Sequence, residues 1–136
     1  TIMKHFLPIM EKNKFGRIIN LTSGAPFNFP EEVSLYSASK AALNVFSITA
    51  AKEYKSLNIK INLFSPGQIK TEMMPMATMN PDKSVPYLLY LLQSSSKLFT
   101  GKFLWTNYIL PTSPNLKGVE WANAKASKNF KKLNND

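Results

Sequence analysis

No cysteine occurs in this chain, which excludes disulfides and thiolate metal sites and makes a reducing cytoplasm the expected setting. Arginine is nearly absent as well, since Arg17 stands alone among seventeen basic residues. A net charge of +9 would suit a polyanion, but the bidentate fork that reads bases and phosphates is missing, and scattered lysines read as a solvated surface. Nucleic-acid binding is therefore not expected. The longest purely apolar run, VPYLLYLL, is far too short for a bilayer span, and TIMKHFLPIMEKNK at the N-terminus has neither the apolar core nor the cleavage site of a signal peptide. The lone histidine, His5, has no second imidazole or carboxylate evident beside it, so no metal site is expected. A glycine-rich G-x-G-x-x-G loop is absent, and so is an initial methionine. The first ten residues read as a helix already under way, which suggests a truncated start.

What is present fits a single core that buries about two thirds of the unfolded surface of the 136 residues. Ile2, Phe6, Ile9 and Met10 fall at helical spacing, with Pro8 expected to kink or interrupt the turn. RIINLTS then reads as a strand, and GAPFNFPEE as a polar loop. A helix follows from about Ser34 to Leu57, with Leu43, Phe46, Ala50 and Tyr54 on its apolar stripe. IKINLFSP is a second strand, stopped by Pro66 and Gly67. A methionine-rich loop from Gln68 to Asn80, a helix from Asp82 to Gln93 and a third strand, GKFLWTNYI, complete the alternation. Helices between short apolar strands imply crossovers and a parallel sheet. The basic tail from residue 117 onward, with Lys117, Lys125, Lys128, Lys131 and Lys132, reads as a frayed end. Asn20-Leu21-Thr22 matches a glycosylation tripeptide but lies inside a strand, which discounts it.

Within LYSASKAALNVF a tyrosine precedes a lysine by four residues at the start of a helix, so Tyr36 and Lys40 share one face. Chance alone would supply about 0.6 such pairs in a chain this rich in lysine, so the spacing needs company. A phenol brought from its usual pKa of about 10 to about 7 needs roughly 4 kcal/mol of selective stabilisation, which one ammonium at about 4 Å supplies at an effective dielectric near 20. Such a tyrosine can give a proton to a developing alkoxide or take one from an alcohol. Ser23 ends the first strand and Pro66 with Gly67 end the second, so both should reach the rim where open parallel sheets bind ligands.

At these residues the chain resembles the short-chain dehydrogenase/reductase family, through GRIINLTSG, YSASK, SPGQIKTEM and the TGKFL strand. The resemblance implies that Ser23 polarises a carbonyl, that Tyr36 is the acid/base, and that Lys40 lowers the tyrosine's pKa and holds the ribose hydroxyls of NAD or NADP. It also implies that Pro66 and Gly67 form the family's proline-glycine turn, and that Ile69 and Thr71 hold the carboxamide. The implied fold is the C-terminal half of a doubly wound Rossmann-type sheet, three strands with flanking helices in one partial domain. The glycine-rich loop, the asparagine-alanine-glycine strand end and the catalytic asparagine would lie in a missing N-terminal half. FLWTNYILP departs from the glycine pair that many members carry at that strand end. A carbonyl or alcohol substrate and homo-oligomerisation are expected. The rival reading is a binding or oligomerisation module that keeps the motif without holding a dinucleotide. Met73, Met74, Met76 and Met79 read equally well as core or as a flexible lid over an apolar substrate.

Overall fold

The computed structural model describes residues 2–93 and 99–112, with the backbone of Val119–Glu120 and Lys125–Ala126. Helix α1 (Ile2–Lys12) turns Met3, Leu7 and Met10 inward at helical spacing. It runs through Pro8, which is exposed, so the hydrogen bond that proline forfeits falls where the helix faces away from the core. Gly16 opens strand β1 (Gly16–Leu21) where α1 folds back, and a Cβ there would lie 2.6 Å from Met10 Sδ. Only glycine fits that approach.

Strand β2 (Ile59–Ser65) is buried at every residue, because β1 and β3 (Phe103–Trp105) flank it and helices cover both faces. Both neighbours run parallel to it. Side chains alternate along β2: Ile59 and Ile61 pack with α1 and with Ala50 and Ala51 of α3 (Ser34–Glu53), whereas Phe64 packs with Leu91 of α4 (Val85–Gln93) and with Leu104. The result is a helix–sheet–helix sandwich whose strands are joined by crossovers through α3 and α4.

The expected third strand divides in two. A turn at Thr106 and Asn107, with Thr106 at φ 50°, folds β4 (Tyr108–Leu110) back antiparallel onto β3. The sheet therefore has four strands, in the order β1-β2-β3-β4, rather than three. The loop after β1 holds a short helix, α2 (Ala25–Asn28), started by Pro26 in its first turn and ended by Phe29 at φ 48°. Helix α3 ends at Glu53, before the expected Leu57, and its buried face is also shifted from the expected stripe. Asn44, Ser47, Ala50 and Ala51 point inward, while Phe46 is 45% exposed. The helix beyond the methionine-rich segment begins as a 3-10 turn (Pro81–Ser84), where Asn80 Oδ1 accepts the Asp82 N–H at 2.8 Å, before α4 proper. Val119–Glu120 (β5) and Lys125–Ala126 (β6) pair antiparallel, and the rest of the expected basic tail lies outside the described residues. Among the described residues no helix is long and apolar enough to cross a membrane.

Candidate active site

Register decides where the candidate residues meet. Leu21 pairs with Phe64, and the Thr22 N–H continues the ladder to the Phe64 carbonyl at 2.8 Å, so β1 and β2 end side by side. Ser23 and Pro66 follow those ends directly, on the rim where the carboxyl ends of the strands open to ligands. Ser23 is half-buried, and its Oγ accepts the Ala25 N–H at 3.1 Å, which anchors the start of α2. That bond uses a lone pair and leaves the hydroxyl proton free to be donated outward.

Helix α3 carries Tyr36 in its first turn, with the Ser37 N–H on the Val33 carbonyl at 2.9 Å. Lys40 follows one turn later on the same face, its Nζ 5.7 Å from the centre of the Tyr36 ring. The ammonium also donates to the Leu21 carbonyl at 3.2 Å, which ties the helix start to the end of β1 two residues before Ser23. Tyr36 is 42% exposed, so the ring lies at the surface rather than in the core. Lys40 thus links the Tyr36 ring to the end of β1, with Ser23 two residues further along the chain.

The turn after β2 is built as expected. Gly67 has φ +83°, which glycine adopts without strain, and an added Cβ would stand 3.1 Å from Met79 Cε and 3.2 Å from Thr106 Cγ2. The Thr106 N–H donates to the Ser65 carbonyl at 2.9 Å, so the β3–β4 turn leans on the proline-glycine turn. Ile69 is half-buried and bridges to Met79, while its N–H turns back to the Gly67 carbonyl at 3.2 Å. Thr71 is exposed and its Oγ1 accepts the Met74 N–H at 3.2 Å. Both groups expected at a carboxamide are therefore engaged within their own loop. Met73 and Met76 are about nine-tenths exposed, at 91% and 90%, which rules out the core reading for these two side chains.

Two features escaped the sequence reading. One is a buried polar contact between β1 and α3, Thr22 Oγ1 donating to Asn44 Oδ1 at 2.5 Å. Its sequence signal is the run Lys40, Asn44, Ser47, polar at helical spacing on the face that also carries Tyr36. The other is the edge-to-face contact of Phe27 with Phe103, centroids 5.4 Å apart, which packs the segment after Ser23 against β3.

A family model described as short chain dehydrogenase matches residues 1–82. The chain is 36% identical over 104 residues to the peroxisomal hydratase-dehydrogenase-epimerase of Saccharomyces cerevisiae, covering 71% of this chain and 11% of that protein. Its fold is similar to a short chain dehydrogenase from Salmonella enterica, with a TM-score of 0.71 at 22% identity over 78% of this chain and 47% of the other. It is similar also to a 3-oxoacyl-(acyl-carrier protein) reductase with bound NAD from Brucella melitensis, with a TM-score of 0.66 at 26% identity over 76% of this chain and 44% of the other. The chain spans less than half the length of each of these proteins. The serine, tyrosine and lysine assembled above thus sit in a chain that belongs to the short-chain dehydrogenase/reductase family.

Proposed function

We propose that this chain carries the acid/base site of a nicotinamide-dependent oxidoreductase that interconverts a carbonyl and an alcohol. The observation that supports this reading is that Lys40 Nζ lies 5.7 Å from the centre of the Tyr36 ring and 3.2 Å from the carbonyl of Leu21, two residues before Ser23 in the chain. A tyrosine and an ammonium gathered at a strand end beside a hydroxyl with a free proton suit proton transfer at an oxygen.

The donor set fits the nicotinamide nucleotide as well. One of the three ammonium protons of Lys40 is spent on Leu21, which leaves two for ribose hydroxyls or the phenol oxygen. Pro66 and Gly67 turn the chain beside them, and Ile69 and Thr71 would meet the carboxamide once their loop rearranges. When bound, the nucleotide supplies or accepts the hydride. In the reductive direction Ser23 donates its hydroxyl proton as a hydrogen bond to the carbonyl oxygen, polarising it. Tyr36 then delivers a full proton to that oxygen as it becomes an alkoxide, and the reverse steps oxidise an alcohol. The exposed Met73 and Met76 offer adaptable apolar contacts and suit a substrate with a hydrocarbon portion. The chain spans less than half the length of the relatives it is compared with above, so the reading concerns the activity of a whole protein of that kind.

Tyr36→Phe in that whole protein is the test. The ring remains and the hydroxyl goes, so the fold should persist while turnover falls by about 10² to 10⁴. Near-normal turnover in a correctly folded variant would show that the proposed mechanism is wrong.

A further inference from the structure

Helix α3 packs its C-terminal part on β2 through Ala50 and Ala51, but toward its N-terminus it meets β1 and the residue after it through polar contacts. Thr22 and Asn44 are only 6% and 5% exposed, and Thr22 Oγ1 donates to Asn44 Oδ1 at 2.5 Å. One turn further from the rim, Asn20 Nδ2 donates to Ser47 Oγ at 2.7 Å, and Ser47 Oγ donates to the Leu43 carbonyl at 2.7 Å. Nearest the rim, Lys40 Nζ donates to the Leu21 carbonyl at 3.2 Å. Lys40, Asn44 and Ser47 thus each meet a successive part of β1, and Tyr36 continues the same stripe one turn above Lys40.

A hydrogen bond is directional in a way that apolar contact is not, so a seam of this kind admits one register of helix on strand. Sliding or rotating α3 would leave buried polar groups without partners. Asn44 Nδ2 is already buried without a partner, so the amide is held through its oxygen alone. Thr22 supplies that hold, and Thr22 is also the residue directly before Ser23. A single contact therefore joins the backbone that bears Ser23 to the helix that bears Tyr36 and Lys40.

We infer that Thr22 and Asn44 are positioning residues, whose buried hydrogen bond sets the distance between the Ser23 hydroxyl and the Tyr36–Lys40 pair. The inference rests on the proposed roles of Ser23 and Tyr36. Neither Thr22 nor Asn44 touches substrate. They act by holding two donors at one oxygen, and misplacement of such groups by about 1 Å can cost about a hundredfold in rate. The Asn20–Ser47 bond, deeper in the seam, anchors the helix without bordering the site.

The experiment measures steady-state kinetics and thermal unfolding on the protein as it occurs naturally. Thr22→Val keeps shape and removes the hydroxyl, and Asn44→Ala removes the acceptor. Each should lower kcat about tenfold or more, with substrate KM changed less than about twofold. The double variant should be no slower than the worse single one, since the two residues act as a unit. Thr22→Ser restores the donor and should return kcat to within about twofold of the parent. Ser47→Ala should lower Tm while leaving kcat intact, which separates positioning from stability. If Thr22→Val folds and keeps full kcat while Tyr36→Phe is inactive, the positioning role is refuted and the catalytic reading stands. If Tyr36→Phe itself stays active, the catalytic reading fails and this inference falls with it. Should Thr22→Val fail to fold, Asn44→Ala and Thr22→Ser decide between the same outcomes.

Discussion

Replacing Gly67 by alanine asks whether the turn after β2 is as tightly specified as its geometry implies. Two costs add. The backbone at φ +83° lies in the left-handed region, where a Cβ costs about 1 to 2 kcal/mol. The new methyl would also meet Met79 Cε at 3.1 Å and Thr106 Cγ2 at 3.2 Å. The methionine methyl is the end of a flexible side chain and can swing aside at little cost. The threonine is branched and sits at φ 50° in the β3–β4 turn, so it yields less readily. The sum is about 2 to 3 kcal/mol, which for a domain of this size lowers Tm by roughly 4 to 12 °C. Gly101→Ala provides the control: its φ of +68° carries the same backbone cost, but its Cβ would meet Ala51 Cβ at an ordinary 3.4 Å. Thermal unfolding followed by circular dichroism should therefore rank parent, Gly101→Ala and Gly67→Ala in falling stability. In the whole protein, Gly67→Ala should also raise KM for the nicotinamide nucleotide more than Gly101→Ala does, because only the first lies on the rim of the site. Equal Tm values for the two variants would refute the contact argument, and a Gly67→Ala variant as stable as the parent would refute both terms.

Four further outcomes are expected. Lys40→Met should lower kcat and weaken nucleotide binding together, since one ammonium is proposed to serve both the phenol and the ribose; kinetics showing a change in only one of these would divide the roles. Ser23→Ala should lower kcat by about 10² to 10³ with nucleotide affinity nearly unchanged, and a larger effect on nucleotide Kd than on kcat would contradict the carbonyl-polarising role. The 136-residue polypeptide by itself should bind NAD(P)H very weakly and show no turnover, so calorimetry giving a micromolar Kd would overturn the proposed division of the nucleotide site. That polypeptide should also self-associate. Among the described residues β1 is an edge of the sheet, and the Gly16 and Thr22 N–H groups go to the Asn58 and Phe64 carbonyls, so by alternation Arg17, Ile19 and Leu21 turn theirs to the other side. Sedimentation showing a clean monomer at high concentration would count against that.

The sheet was legible because its strands are unambiguous by composition. RIINL and IKINLF are β-branched and aliphatic runs bounded by glycine and proline, and both emerge as parallel strands in register from Gly16↔Ile59 to Leu21↔Phe64. Burial of every residue of β2 explains why its run shows no alternation of polar and apolar positions. The β3–β4 hairpin was not legible, because FLWTNYI is apolar and aromatic on both sides of its turn and lacks the Asn-Gly or Gly-Gly that announces one. Thr106 takes the left-handed turn position without being a residue that favours it, so local chemistry gave no warning.

Helix α3 shows how a polar buried face can mislead an argument from hydrophobicity. Leu43, Phe46, Ala50 and Tyr54 recur at helical spacing and look like the buried stripe, yet Phe46 is 45% exposed, and Asn44 and Ser47 are at most 5% exposed. Apolar residues lie on more than one side of this helix, so periodicity alone cannot choose the face that meets the sheet. The choice is made by the partner surface. β1 and the residue after it present Asn20, the Leu21 carbonyl and Thr22 to this helix, and Ser47, Lys40 and Asn44 meet them. Burying Phe46 in place of this stripe would leave those β1 groups unpaired, at about 1 to 3 kcal/mol for each one kept from water, which is comparable to the transfer gain of the ring. The orientation that satisfies the polar groups is also the one that brings Lys40 to the carbonyl of Leu21, two residues before Ser23. The YSASK spacing was therefore legible in the sequence, while the contacts that hold its helix depend on side chains about twenty residues away in sequence, whose pairing only the fold brings about.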